Sequence, residues 1–347
     1  MVIRPDADTQ FGGDRVQMIE TAKRLRNLGV DVIEKVGATT PTDYEGVDIV
    51  HLFNLQTRLF SLDEAKKAKA ACKRLALSTI WWEPSLELIL ETSRKWAMAS
   101  RAIGRKRAIE IIAGKAEPIL APDRALQSEV VGMADVLLPN SWAEAKELRK
   151  LDAHDRVVVV PNGVDVDHYD GNRDLPRPDW VPKGDYVLCA ARIERLKGQL
   201  GLARAARRYG VPCVLVGEVV DAEYAGRCRS VGATTPGKKD RDELAAAYKN
   251  ALLYVQPSLR ETPGLASMEA AAMGCPVVTT KHGSTREYFG SWATYVDPFD
   301  YQSISREFAA ALRRPRGIGL SEHIRRTYPW ERAAEATNTA YERLVKD

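Results

Sequence analysis

The sequence predicts an α/β protein of two domains, each a parallel sheet with helices on both faces. Three observations predict it. At 347 residues the chain is longer than one ordinary core fills and suits two domains. Short apolar runs alternate with helical patterns of roughly 10 to 16 residues, the rhythm of parallel strands joined by helical crossovers. That rhythm occurs twice, before and after a polar, proline-containing stretch from Asp170 to Asp185.

In the first series, apolar runs predict strands at 30–34, 48–52, 75–80, 134–138 and 156–160, and helical spacing predicts helices at 14–28, 61–73, 87–115, 123–132 and 141–149. In the second, strands are expected at 187–191, 213–217, 252–256 and 276–280, with helices at 198–209, 240–249, 264–273 and 301–313. Pro161-Asn162-Gly163-Val164-Asp165 forces a turn and marks the boundary. A last helix after Pro329 has Trp330, alanines, Tyr341 and Leu344 at helical spacing, long enough to cross back to the first domain. The expected domains are therefore 1–160 plus 330–347, and 161–329, with a ligand cleft between them.

Composition narrows the class. With 45% hydrophobic and 28% charged residues and no low-complexity tract, both domains are expected to fold throughout. No apolar run approaches the roughly 20 residues that span a bilayer, and Met1-Val2-Ile3-Arg4-Pro5-Asp6 is no signal peptide, so a cytoplasmic protein is expected. The five cysteines are odd in number and contain no CxxC pair, which argues for a reducing compartment. The five histidines form no HExxH and no close cluster, so no metal is expected, although Asp6-Ala7-Asp8 and Asp165-Val166-Asp167 are acidic triplets of a kind that holds cations. Neither GxGxxG after the first strand nor GxxxxGK[ST] occurs, which counts against a dinucleotide-dependent dehydrogenase and a P-loop NTPase.

The richest segment is Glu261-Thr262-Pro263-Gly264-Leu265-Ala266-Ser267-Met268-Glu269. It puts one carboxylate at the end of a strand and a second inside an otherwise apolar helix, at the ligand edge of an open α/β sheet. A buried charge at Glu269 costs several kcal/mol by rough estimate unless it is paired, and a ligand diol supplies two matching donors. The alternative is an internal ion pair or a backbone cap. Upstream, Arg192 follows the strand Val187-Leu188-Cys189-Ala190-Ala191, and Lys197-Gly198 opens the next helix. Together they form a receptor for a diphosphate and would stabilise its charge as it leaves. In the first domain, Gly12 and Gly13 open a helix and admit close approach of a phosphate or sugar to backbone amides.

These residues resemble glycosyltransferase family 4, whose retaining enzymes have two Rossmann-like domains in the arrangement called GT-B. Gly12-Gly13 resembles the family's glycine loop and Pro161 to Asp165 its domain-joining motif; Arg192 with Lys197-Gly198 resembles its phosphate-binding pair, and Glu261 to Glu269 its glutamate-x7-glutamate signature. The resemblance implies a UDP- or GDP-sugar donor with no cofactor and no metal. It implies that Glu269 binds the ribose hydroxyls, Glu261 those of the donor sugar, and the backbone at Gly264 and Leu265 the distal phosphate, with Pro263 and Ala266 also in the donor site and Arg192 and Lys197 assisting the leaving group. Transfer would retain anomeric configuration, an acceptor hydroxyl held by the first domain attacking the anomeric carbon on the face from which the diphosphate leaves.

One departure lies after the fourth N-terminal strand. Many relatives there carry a histidine, whereas this chain reads Ser78-Thr79-Ile80-Trp81-Trp82-Glu83. Trp81, Trp82 and Glu83 are therefore candidate acceptor contacts, with a salt bridge the alternative for Glu83; His51 matches an earlier family histidine by position alone. The stretch from Arg94 to Arg124 has an excess of about five positive charges with Trp96 and isoleucines interspersed, a pattern compatible with peripheral membrane contact at the inner face or with a solvated basic helix face. Two competing functions remain in view: a glycosyltransferase acting on modified bases of nucleic acid, which this basic stretch would grip, and a catalytically silent nucleotide-sugar binding protein.

Overall fold

The computed structural model describes residues 1–84, 103–114, 116–153, 155–314 and 316–346. Two compact units result: Met1–Pro84 with Glu110–Gly163 and Trp330–Asp347 make the first, and Val164–Pro329 is the main body of the second. Residues 94–102 of the basic stretch lie outside the described residues. Farther along it, Asp123 is ion-paired with Arg58 at 2.5 Å and Arg124 with Glu83 at 2.6 Å.

The first unit holds a five-stranded parallel sheet ordered β2-β1-β3-β4-β5, from β1 (Val2–Ile3), β2 (Lys35–Val36), β3 (Ile49–Phe53), β4 (Arg74–Ser78) and β5 (Val136–Leu137). The strand expected at 30–34 is displaced to Lys35–Val36, because its partner is Val2–Ile3, a two-residue strand too short to show a period. The run 156–160 supplies one bridge, Val157 to Leu137, in place of a full strand. The carboxyl end of the chain adds the helix Trp330–Lys346, which packs along the helix Gly13–Asn27 and makes the ion pair Arg24 to Glu331 at 3.2 Å.

The second unit holds a six-stranded parallel sheet ordered β11-β10-β9-β6-β7-β8, from β6 (Val187–Ala190), β7 (Cys213–Val216), β8 (Ala233–Thr234), β9 (Leu253–Gln256), β10 (Val277–Thr280) and β11 (Thr294–Val296). Both faces are buried. Val187, Cys189, Leu215, Leu253 and Val255 pack on one side, against the helices Gln199–Arg208, Ala222–Ser230 and Tyr301–Leu312. Leu188, Val214, Val216 and Tyr254 pack on the other, against Arg241–Asn250, Leu265–Ala272 and Gly319–Thr327. Alternate residues facing opposite helix layers explain why these strands read as unbroken apolar runs. The four cysteines of this unit are buried free thiols; burial pushes Cys189 up to about 12 and Cys228 up to about 11, as expected of small core residues.

Chain order reverses between β6 and β9: β7 and β8 lie to one side, β10 and β11 to the other. In open parallel sheets ligands bind beyond the carboxyl ends of the strands at such a reversal. Among the described residues no helix is long and apolar enough to cross a membrane.

Candidate active site

At the reversal, the segments leaving β6 and β9 bring Lys197 onto Glu261. Lys197 ends a short 3-10 turn at Arg195–Lys197, and Gly198 caps the next helix with φ of 66°. A side chain at position 198 would place Cβ 2.1 Å from the Pro257 carbonyl oxygen, so only glycine lets the two segments approach. Lys197 Nζ reaches Glu261 Oε1 at 2.8 Å, with the glutamate side chain 8% exposed and the lysine 22%.

Glu261 is fixed on its backbone as well. Its N–H donates to the His282 carbonyl at 3.2 Å, and its own carbonyl accepts from the Ser284 N–H at 3.0 Å. The carboxylate is met from below by Gln256, whose Nε2 donates to Glu261 Oε1 at 2.6 Å. Sequence reasoning missed Gln256, Tyr254 and Ser267, which join the same network; the available signal was a lone amide ending an apolar strand beside Pro257.

Past Pro263, Gly264 caps the helix Leu265–Ala272 with φ of 90° and without a side-chain cap. The first amides of that helix, at Leu265 and Ala266, therefore face outward at its positive end. Glu269 lies one turn in, on a helix whose Ser267, Met268, Ala270, Ala271 and Ala272 are buried, and is itself only half-buried. The Tyr248 hydroxyl donates to Glu269 Oε2 at 3.1 Å, and Tyr169 bonds the same carboxylate. Burial first, and then the negative Glu269, push both phenols far above their usual range, so they remain donors at every physiological pH. Arg192 extends along Glu194, with Nη2 to Oε1 at 3.1 Å and 38% of its side chain exposed, while its carbonyl accepts from Gln199. Arg192 thus has a different partner from Lys197.

In the first unit, Gly12 caps the helix Gly13–Asn27, and a Cβ there would meet Asp14 Oδ1 at 2.9 Å and Arg4 Nη2 at 3.3 Å. The Arg4 guanidinium forks onto Asp14, Nε to Oδ2 at 2.7 Å and Nη2 to Oδ1 at 3.2 Å, and Asn54 adds a donor at 2.9 Å. Burial raises the Asp14 pKa, but the Arg4 and Asn54 hydrogen bonds outweigh it and hold the carboxyl below its usual range. The acidic triplets are likewise ion-paired: Asp6 with Arg4 at 2.7 Å, Asp8 with Arg15 at 2.9 Å, and Asp165 with Arg241 at 3.2 Å.

The candidate acceptor residues divide. His51 is 2% exposed; its Nδ1 is 2.6 Å from the Tyr341 hydroxyl, its Nε2 is 2.9 Å from Ser78 Oγ, and it stacks on Phe53. The imidazole ties the last helix to the sheet. Trp81 is in the core, and Glu83 accepts Arg124 at 2.6 Å and Lys150 at 3.0 Å, the salt-bridge alternative. Trp82 is half-buried, and its carbonyl accepts from Gln56 Nε2 at 3.4 Å. Behind them the fully buried Glu144 accepts from Thr79 Oγ1, the Trp81 N–H and the Asn140 N–H at 2.5, 2.9 and 3.0 Å, holding Ile80 at φ of 44°. Such a φ strains a β-branched residue.

Residues 173–327 match the family described as glycosyl transferases group 1. The chain is 31% identical over 252 residues, 64% of its own length, to D-inositol 3-phosphate glycosyltransferase 2 of Catenulispora acidiphila. It is 29% identical over 259 residues, 65% of its length, to D-inositol 3-phosphate glycosyltransferase of Mycolicibacterium smegmatis. These matches span 59% and 57% of the respective relatives. Among solved structures, sucrose-phosphate synthase from Thermosynechococcus elongatus superposes with a TM-score of 0.73 at 16% identity over 99% of this chain and 98% of that one. Anabaena Alr3699/HepE in complex with UDP-glucose superposes with 0.67 at 15% identity over 99% and 98%. Residues 173–327 thus resemble the glycosyl transferases group 1 family, and the chain has the GT-B fold.

Proposed function

We propose that the protein is a retaining, metal-independent glycosyltransferase that moves a sugar from a UDP- or GDP-sugar to an acceptor hydroxyl. The observation that carries this reading is the Lys197 to Glu261 pair at the strand reversal, beside the uncapped start of the helix Leu265–Ala272. The distal phosphate is bound by the amides of Leu265 and Ala266 and by the Arg192 and Lys197 cations, which take up the charge of the departing nucleoside diphosphate. Glu261 accepts from hydroxyls of the donor sugar. Glu269, oriented by Tyr248 and Tyr169, accepts from the ribose. The cations and helix amides supply the electrostatic stabilisation that a metal supplies elsewhere, so added metal is not needed. The acceptor hydroxyl attacks the anomeric carbon on the face from which the diphosphate leaves, and the second unit binds the donor while the first binds the acceptor.

Relatives named for D-inositol 3-phosphate and for sucrose phosphate favour a phosphorylated polyol or sugar as acceptor. Incubating the protein with UDP-glucose or GDP-mannose and a panel of phosphorylated sugars and inositols, with chelator present, tests the reading. Transfer with retained anomeric configuration supports it. Glu269→Ala is expected to weaken UDP or GDP about tenfold to a hundredfold while leaving the 2′,3′-dideoxy nucleotide unaffected. Equal loss for both nucleotides would exclude the ribose role, and no transfer from any donor would exclude the enzyme.

A further inference from the structure

Gln256, the last residue of β9, is 3% exposed and lies at the centre of a hydrogen-bond network rather than at its edge. Its Nε2 donates to Glu261 Oε1 at 2.6 Å, and its Oε1 accepts from the Tyr254 hydroxyl at 2.6 Å and from Ser267 Oγ at 3.0 Å. An ionised carboxylate only accepts and hydroxyls can donate, so this amide orientation alone satisfies all three neighbours. Tyr254 is itself anchored: it is fully buried, and its hydroxyl also lies 3.2 Å from the Ala190 carbonyl at the end of β6. With the single Tyr254 hydroxyl hydrogen given to Gln256 Oε1, the amide is held from β9 and from the helix Leu265–Ala272 at once.

The consequence falls on the two oxygens of Glu261. Oε1 receives both Lys197 and Gln256. Oε2 is turned toward Gly264, where even a methyl carbon would sit 3.4 Å away, and among the described residues no donor reaches it. We propose that Gln256 is a positioning residue: with Lys197 it occupies Oε1, so that Oε2 is presented in one orientation to a hydroxyl of the donor sugar. The inference rests on the sugar-binding role given above to Glu261 and adds the groups that hold that carboxylate in place. Fixing one carboxylate rotamer beforehand removes the ordering cost from binding, where small misplacements are costly.

Two substitutions at this position separate positioning from mere stability. Gln256→Leu removes the donor, and affinity for UDP-glucose or GDP-mannose should fall about tenfold to a hundredfold while UDP or GDP alone binds as to wild type. Gln256→Glu keeps the shape but sets two carboxyl groups 2.6 Å apart, so that they share one proton. At low pH the protonated Glu donates as the amide does and sugar affinity matches wild type. As pH rises and the shared proton leaves, the two anions repel and affinity falls, a profile that loss of stability alone does not produce. Ser267→Ala, which trims one hydroxyl and keeps the helix, should weaken the sugar nucleotide about fivefold and serves if Gln256→Leu folds poorly. The measurement is isothermal titration of each nucleotide and nucleotide sugar across pH, with thermal melts alongside. Unchanged preference for the sugar nucleotide over the diphosphate in Gln256→Leu and Ser267→Ala, or a Gln256→Glu profile parallel to wild type, overturns the inference while the glycosyltransferase reading stands. A wild type that binds no nucleotide sugar overturns both.

Discussion

Lys197 and Glu261 are 64 positions apart in the chain and 2.8 Å apart in space. The pair joins the segments that leave the two strands flanking the reversal of the second sheet, so it exists only when β6 and β9 lie side by side. Because it combines a cation suited to a leaving phosphate with a carboxylate suited to sugar hydroxyls, its loss should be felt twice.

Lys197→Met keeps most of the stem and removes the charge. Turnover is expected to fall about a hundredfold to a thousandfold, the usual consequence of deleting one group that stabilises transition-state charge. KM for the sugar nucleotide should rise as well, because Glu261 loses one of its two donors. Steady-state kinetics at saturating acceptor checks this; an unchanged kcat would remove Lys197 from the leaving-group role.

Gly283 has φ of 98°, and a Cβ there would lie 1.9 Å from the Glu261 carbonyl oxygen. Gly283→Ala must therefore displace the backbone that carries Glu261. A stability loss of about 2 kcal/mol or more is expected, with weakened sugar-nucleotide binding in whatever fraction folds. Denaturant melts and titration of the same sample measure the two effects together.

The His51 to Tyr341 contact predicts a pH effect in the first unit. Burial drives the His51 imidazole well below its ordinary range, so the folded state holds it neutral while the unfolded chain protonates it. Its contribution is complete above about pH 6.5 and is lost as pH falls from there toward the folded value. Tyr341→Phe leaves Nδ1 buried without its partner and should cost about 1–3 kcal/mol. His51→Gln should flatten the slope of stability between pH 7 and pH 5, roughly the window in which the unfolded imidazole titrates. Urea melts across that window decide both.

The sequence carried the second unit more fully than the first. Four of its strands are four-residue runs apolar on both faces and flanked by helices, and only the short β8 and β11 went unread, whereas β1 is the two residues Val2–Ile3 and shows no period at all. Missing β1 shifted β2, since a strand is placed by its partner. The helices Ala222–Ser230 and Gly319–Thr327 were also unread, being short, polar segments that form because a few residues such as Tyr224, Leu320 and Ile324 pack on the sheet. In the site, Arg192, Lys197, Glu261 and Glu269 were legible as charges at strand ends and helix starts. Gln256, Tyr254 and Ser267 were not, because a buried amide and hydroxyls declare themselves only through the partners they meet.

By itself the sequence determined the alternation of strand and helix, the glycines where backbones must approach, and the chemical types near the crevice, all of which are local properties of adjacent residues. Only the tertiary structure decided the strand order that creates the reversal, the choice of Glu261 as partner of Lys197, and the withdrawal of His51 and Trp81 into the core. Those outcomes depend on which strands pair and which faces are covered. Contacts between residues dozens of positions apart settle them, and no local pattern encodes such contacts.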